Sequence, residues 1–284
     1  MKVNVVLWQD NHILPRMTEW LVERNSWTVS GKPDYSADVN YFMPYFTYAF
    51  DLHLETKTTG WFTHYEIGSQ WKIDKWNQAA VDTDMQCITA PMYCDPQFGL
   101  GNPYVITPGV DRDRFVPMQR EANKQPIVGI AGVGQPRKGP KLIVDLYYSG
   151  LGVAVNIVGV NWPFYPQTEI HSDQMPLWYP LLDVYLCTSS IEGIPAPVLE
   201  ALACDVKIVI PYGVGICDQL PEMEGIRHYE KDNGQDMIRA LQLALDDKPS
   251  KGSLRDVTKY YSVDEWCNSH QLAMEALLDA PVLV

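Results

Sequence analysis

Four short runs in the second half of the chain are almost wholly apolar and rich in β-branched residues. They are IVGIA at 127–131, AVNIV at 154–158, VYLC at 184–187 and KIVI at 207–210. Each is too short for a helix, and none alternates apolar with polar residues as a strand with one wet face would. Runs of this kind belong to strands covered on both faces, which is the condition of a parallel sheet whose crossovers are helices. Segments with helical spacing at 140–149, 197–203 and 235–245 lie between or after them. The pattern strand, helix, strand, helix gives the fold class as α/β.

The first half carries the same alternation less cleanly. Residues 2–7, 39–42, 61–63, 85–89 and 104–106 read as strands. Residues 15–24 read as a helix with Met17, Trp20 and Leu21 on one side, and 70–80 as a helix anchored by Trp71 and Trp76. The stretch 107–125 is rich in Pro, Gly and charge and reads as a linker. A last helix is expected at 263–278. The expected organisation is a domain over 1–118 and a second over 119–262. Two such units facing each other place a ligand site in the cleft, at the C-terminal ends of the strands.

With 284 residues, 46% hydrophobic and 20% charged, the chain can bury a proper core. Six cysteines are scattered without a C-x-x-C pair and apart from the six histidines, so no metal site is expected. Cys187 and Cys204 sit in apolar runs and read as buried thiols. The net charge is −13, from 22 basic and 35 acidic side chains. That balance argues against a broad nucleic-acid surface and against docking on an anionic membrane. No apolar stretch approaches the roughly 20 residues that span a bilayer, and MKVNVVLWQD lacks the features of a secretory signal. A soluble, cytoplasmic protein is expected, and a homo-oligomer is left open.

The stretch SSIEGIPAPVLEALAC, residues 189–204, sets Glu192 and Glu200 eight residues apart around a loop that runs into a helix. Pro197 can open that helix, because a proline at the first position gives up an N–H that would be unpaired. Glu200 is then expected in the first turn, with the amides of Gly193, Ile194 and Ala196 facing the same space. A helix N-terminus and free amides suit a phosphate, and carboxylates suit sugar hydroxyls. The plainer reading is a solvated helix-start glutamate and an ordinary loop charge. Upstream, GVGQPRKG at 132–139 puts Arg137 and Lys138 on a glycine-bearing loop after a strand. Arginine can hold two phosphate oxygens at once, and lysine adds a point charge. Alone, such a pair is more often a solvated surface feature; its place before the acidic loop favours the functional reading.

Taken together, these segments resemble the retaining glycosyltransferases of the GT-B fold, in particular the large family 4, known also as glycosyl transferases group 1. Residues 189–204 resemble its E-x7-E signature, ITPGVDRDRFVP at 106–117 its interdomain segment, and 129–146 the strand, loop and helix that carry its basic pair. AVNIVGVNWP at 154–163 resembles its next strand and turn. The resemblance is strong over 106–278 and faint before. It implies two Rossmann-like domains facing across a cleft, the first unusually short, with the last helix crossing back to brace it. Arg137 and Lys138 would stabilise the leaving nucleoside diphosphate. Glu200 would hold ribose hydroxyls, and Glu192 would lie by the transferred sugar. Gly193, Ile194, Gly134 and Pro195 would line the donor site. His64, with Glu66 beside it, would reach the sugar or acceptor, although a histidine among aromatics is as often simply packed.

The reaction implied is retaining transfer of a hexosyl or pentosyl group from a nucleotide-sugar co-substrate to an acceptor hydroxyl, with no metal or other cofactor. The acceptor is left open among a glycan, a small molecule, a protein or a hydroxylated base in viral DNA. Two departures stand out. The loop after the first strand, WQDNHILP, has no glycine and offers Asp10, Asn11 and His12 instead, and Asp205 stands where relatives often have glycine. The first departure motivates an alternative: a catalytically inactive nucleotide-sugar-binding protein. A phosphorylase or epimerase lacks a cofactor lysine motif, and a dehydrogenase lacks G-x-G-x-x-G after a strand.

Overall fold

The computed structural model describes residues 1–7, 14–48 and 54–279. The chain divides into two compact units, Met1–Gly109 with Val263–Val284, and Val110–Ser262. In order, the elements are β1 (Val3–Leu7), α1 (Leu14–Asn25), β2 (Thr28–Ser30), β3 (Val39–Met43), β4 (Lys57–Phe62), α2 (Gln70–Asp82), β5 (Met85–Ile88) and β6 (Pro103–Val105). There follow β7 (Ile127–Val133), α3 (Pro140–Tyr148), β8 (Ala154–Val160), β9 (Gln167–Thr168), α4 (Met175–Trp178), β10 (Val184–Leu186), α5 (Ala196–Ala203) and β11 (Lys207–Pro211). The chain closes with β12 (Ile226–Tyr229), α6 (Gly234–Asp246), α7 (Ser253–Val257) and α8 (Val263–Asp279).

The first unit is a parallel six-stranded sheet in the order β2-β1-β3-β4-β5-β6. One face is held by an aromatic core around Trp76, which meets Phe62 edge-on at 4.8 Å and Tyr45 at 5.2 Å and donates to the Phe98 carbonyl at 2.9 Å. Trp71 is not a second buried anchor and is 51% exposed. Five positions on a helix turn the side chain by about 140°, so the two tryptophans cannot share a face. On α8, Trp266 packs on Trp20 and Trp61, with centroids at 6.0 and 5.7 Å. Arg24 Nε donates to Asp264 Oδ1 at 2.6 Å. His270 is fully buried, 2.8 Å from the Trp266 carbonyl through Nδ1 and 3.0 Å from Tyr41 Oη through Nε2. A carbonyl only accepts, so Nδ1 carries the proton and Tyr41 donates to Nε2.

The second unit has the order β12-β11-β10-β7-β8-β9, again all parallel. Strand β10 shows why its sequence is apolar throughout. Tyr185 and Cys187 face one core with Val198, Leu199 and Leu202 of α5, while Val184 and Leu186 face another with Leu142 and Ile143 of α3 and Met237 and Leu241 of α6. Both faces are covered by helices, as a parallel sheet requires. The strand order reverses between β7 and β10, whose onward connections to β8 and β11 run in opposite directions across the sheet. In such sheets that point is where ligands bind.

Residues 110–118, which the sequence reading gives to the first domain, group with the second unit. Val110 N donates to the Tyr261 carbonyl at 2.7 Å, and Phe115 is 1% exposed with its ring 5.9 Å from that of Tyr179. The expected linker is irregular but pinned. Arg255 donates to the carbonyls of Phe115 and Arg112 at 2.5 Å each, and Arg120 donates to those of Pro180 and Leu182 at 2.8 and 2.9 Å. The DRD triplet makes a turn in which Asp111 Oδ1 accepts from Asp113 N and Arg114 N at 3.1 and 3.0 Å. No helix among the described residues is long and apolar enough to cross a membrane.

Candidate functional site

Two loops meet at the reversal in the second sheet. The first leaves β7 through Gly134, makes a single 3-10 turn at Pro136–Lys138, and passes through Gly139 at φ 67° into α3. Only glycine fits there: a Cβ would lie 2.2 Å from the Thr188 carbonyl oxygen. The second loop leaves β10 and carries Ser189, Ser190 and Glu192 to α5. The two are tied through the peptide groups of the basic pair. Ser190 N donates to the Arg137 carbonyl at 2.8 Å, and Thr188 Oγ1 to the Lys138 carbonyl at 2.6 Å.

With their carbonyls engaged, both basic side chains turn to one carboxylate. Arg137 Nη1 lies 2.9 Å from Glu192 Oε1, and Lys138 Nζ is in direct contact with the same oxygen. Ser189 Oγ donates to it as well, at 3.1 Å. Glu192 is 8% exposed, so the ion pairs are partly sheltered from water. Below them the chain is closely stacked. A Cβ on Gly215 would lie 2.4 Å from the Gly193 carbonyl oxygen and 2.7 Å from that of Glu192. The loop after β11 thus supports the acidic loop backbone to backbone.

The remaining expected residues take different places. Helix α5 begins at Ala196, with Pro195 as its cap and Pro197 second, so Glu200 lies in the second turn and not the first. The reason is local: the chain turns helical one residue before Pro197. Glu200 is 8% exposed and accepts from Tyr179 Oη at 2.8 Å. Burial raises the Tyr179 hydroxyl well above the usual tyrosine range, and the Glu200 charge adds to this. Burial also raises Tyr185, followed by the charges of Cys187, Glu192 and Glu200. Tyr185 therefore feels both carboxylates of the motif. Of the three expected amides, that of Ala196 is taken by the Ile194 carbonyl at 2.9 Å. Those of Gly193 and Ile194 make no hydrogen bond among the described residues. The Gly134 amide donates to the Val160 carbonyl at 2.8 Å, so this residue serves by close packing: a Cβ would lie 2.2 Å from the Asn161 carbonyl oxygen.

His64 belongs to the first unit. Its Nε2 lies 3.2 Å from Glu66 Oε2 and its Nδ1 3.1 Å from Thr63 Oγ1. Burial works to raise the Glu66 carboxyl, but Lys72 and His64 outweigh it and the net shift is downward. Asp10, Asn11 and His12 lie outside the described residues. Asp205 has φ 61°, and its carboxylate accepts from Gly252 N at 2.7 Å. It is a turn residue that satisfies its neighbours. No group of three His, Cys, Asp or Glu side chains among the described residues is placed to hold a metal. Sequence reasoning missed Ser189, which stands three positions before Glu192, and Tyr179, which no local pattern marks.

No protein-family model matches the sequence, and no curated protein does. Solved structures do resemble it. Sucrose-phosphate synthase from Thermosynechococcus elongatus aligns with a TM-score of 0.79 at 12% identity, over 99% of this chain and 100% of that one. HepE of Anabaena in complex with UDP and glucose gives 0.74 at 11% identity, over 98% and 99%. The lipopolysaccharide outer core galactosyltransferase WaaB gives 0.72 at 10% identity, over 97% and 99%. At such identities the likeness speaks to architecture: the chain has the α/β fold of GT-B glycosyltransferases, with two parallel six-stranded sheets.

Proposed function

We propose that the chain is a glycosyltransferase that takes a sugar from a nucleoside-diphosphate sugar and passes it to an acceptor hydroxyl with retention at the anomeric carbon. The observation that carries this reading is the convergence of Arg137, Lys138 and Glu192 at the reversal point of the second sheet. Two cations held on a rigid turn suit a diphosphate that carries two negative charges in the donor and gains another as the bond to the sugar breaks. The amides of Gly193 and Ile194, which make no hydrogen bond among the described residues, add donors beside them. Glu200 would hold the ribose hydroxyls, and Glu192, released from the cations by phosphate, would face the transferred sugar. The solved complexes of HepE with UDP and with UDP-glucose support a uridine nucleotide as the first donor to test.

The reacting sugar gains positive charge as the diphosphate departs. Preorganised cations around the departing phosphate stabilise that state more than the ground state, and fixed geometry supplies much of the rest. The proposed site needs no metal, since Arg137 and Lys138 provide the charge that a divalent ion would. His64, paired with Glu66, is proposed on the acceptor side.

The test combines binding and turnover. Calorimetry should show UDP binding to the wild type and clear weakening in Arg137→Ala and Glu200→Ala, with melting transitions retained. Incubation with UDP-sugars and EDTA should still release UDP, and proton NMR of the product should show the donor's anomeric configuration. Wild-type UDP affinity in both variants would remove the site assignment. UDP binding without donor hydrolysis or transfer would favour an inactive binding protein.

A further inference from the structure

Exposed aromatic rings gather at the C-terminal end of α3 in the second unit. Tyr147 and Tyr148 are 49% and 73% exposed, and Phe164, on the turn after β8, is 53% exposed. Tyr147 and Phe164 stack with centroids 4.6 Å apart and planes 18° apart, and Tyr148 meets Phe164 edge-on at 5.9 Å. Phe164 has φ 65°. Residues with a Cβ rarely adopt that left-handed conformation. A strained backbone that holds an apolar ring in water is a reason to look for a ligand.

Of the three rings Tyr148 lines an open groove of about 650 Å³, and Phe164 stands next to it through its contact with Tyr148. One wall is a single stripe of α3, with Lys141, Asp145 and Tyr148 at the spacing that aligns side chains on a helix. The other wall is the turn from β12 into α6, including Asp232, Asn233 and Gln235. Asp232 is itself left-handed, at φ 63°. The side chains of Lys141, Asp145, Asp232 and Gln235 make no hydrogen bond or ion pair among the described residues. None of these residues belongs to the basic or acidic loop.

The chemistry of the lining selects among ligands. Glu230, Asp145 and Asp232 outnumber Lys141 and Lys231, so the groove does not suit a polyanion or an anionic membrane. Flat rings offer faces to C–H groups, while carboxylates, amides and lysines bond hydroxyls that both donate and accept. Its volume falls in the range of ligand sites, about 300–1,000 Å³. We propose that this surface binds a neutral oligosaccharide, with sugar faces on Tyr148 and Phe164 and hydroxyls toward Asp145 and Asp232. If the transferase reading holds, the bound glycan is an acceptor or product chain gripped away from its reacting end. The binding itself does not depend on that reading.

The probes are maltohexaose, cellohexaose, chitohexaose and mannohexaose, titrated by calorimetry into the full chain and into Tyr148→Ala, Phe164→Ala and the double variant. Both residues are exposed, and melting curves confirm that each variant folds. At least one probe should bind saturably, each single variant should weaken it about tenfold, and UDP affinity should stay unchanged. No binding by any probe at millimolar concentration overturns the proposal, as does binding that survives the double variant. Sedimentation of the same samples tests the rival use: a dimer that the double variant dissolves, without glycan binding, also overturns it. UDP titration runs alongside, so failure of the donor-site reading is seen separately.

Discussion

Glutamine in place of Glu192 isolates the charge balance of the basic loop. The wild-type carboxylate side chain is 9% exposed and faces Arg137 and Lys138, whose side chains are 24% and 19% exposed. A hydrogen bond to a charged group contributes roughly 1.5–3 kcal/mol, and partial exposure of both cations places this one near the lower end. Glutamine keeps the shape and one acceptor oxygen, so the expected loss is about 1–2 kcal/mol. For a domain of this size that lowers Tm by about 2–8 °C. UDP should report the opposite sign. Its diphosphate must displace Glu192 from both cations in the wild type, whereas in Glu192→Gln they are no longer neutralised. UDP is expected to bind the variant about tenfold more tightly, equivalent to about 1.4 kcal/mol. The gain should shrink at high salt. Transfer should fall even so, because the proposed sugar-facing carboxylate is gone. Calorimetric titration with UDP and melting curves supply both readouts. A variant that melts at the wild-type temperature, or binds UDP tenfold more weakly, would refute the competition between Glu192 and phosphate.

Gly139→Ala should lower both Tm and UDP affinity, the latter about tenfold, because a Cβ there meets the Thr188 carbonyl at 2.2 Å and must move the turn bearing Arg137 and Lys138; unchanged UDP binding would show that the turn is not held by this contact. Tyr179→Phe removes the donor to Glu200 and should cost about 1.5–3 kcal/mol, read as a lower urea midpoint at unchanged m-value. His270 should make stability pH-dependent. Desolvation holds its pKa down at about 3 in the fold, against about 6.5 when unfolded. Between those values the unfolded chain binds a proton that the folded chain refuses, so stability is full above about pH 6.5 and declines as pH falls through the window. From pH 7 to pH 5 the loss is about 2 kcal/mol. His270→Gln should flatten that slope, and equal slopes in melting experiments would refute the burial argument.

The parts of the fold that were legible are those where local chemistry and final environment agree. The runs containing Ile130, Ile157, Val184 and Ile208 read as doubly covered strands because they are. Strand β12 was missed because its letters, IRHY, include two charged or titratable residues. Arg227 is satisfied by Asp247 at 2.6 Å and His228 by Glu222 at 2.7 Å, partners that no window of sequence contains. Strands β2 and β9 are three and two residues long and leave no periodic signal. At the site, the residue types of the acidic and basic loops were readable, but their pairing was not. Glu192 and Arg137 are 55 positions apart, and only the strand order brings their loops together. The setting of Glu200 depended on Tyr179 in the same way.

The bridge between Val110 and Ser262 makes the second unit an insertion whose entry and exit lie side by side. The polypeptide interrupts one body, completes another, and only then supplies the helix that covers Trp61 and Tyr41. A ribosome would therefore release a finished middle before a finished beginning. The excised segment 110–262 should fold alone, whereas a chain stopped at 262 would lack the helix that completes its first unit.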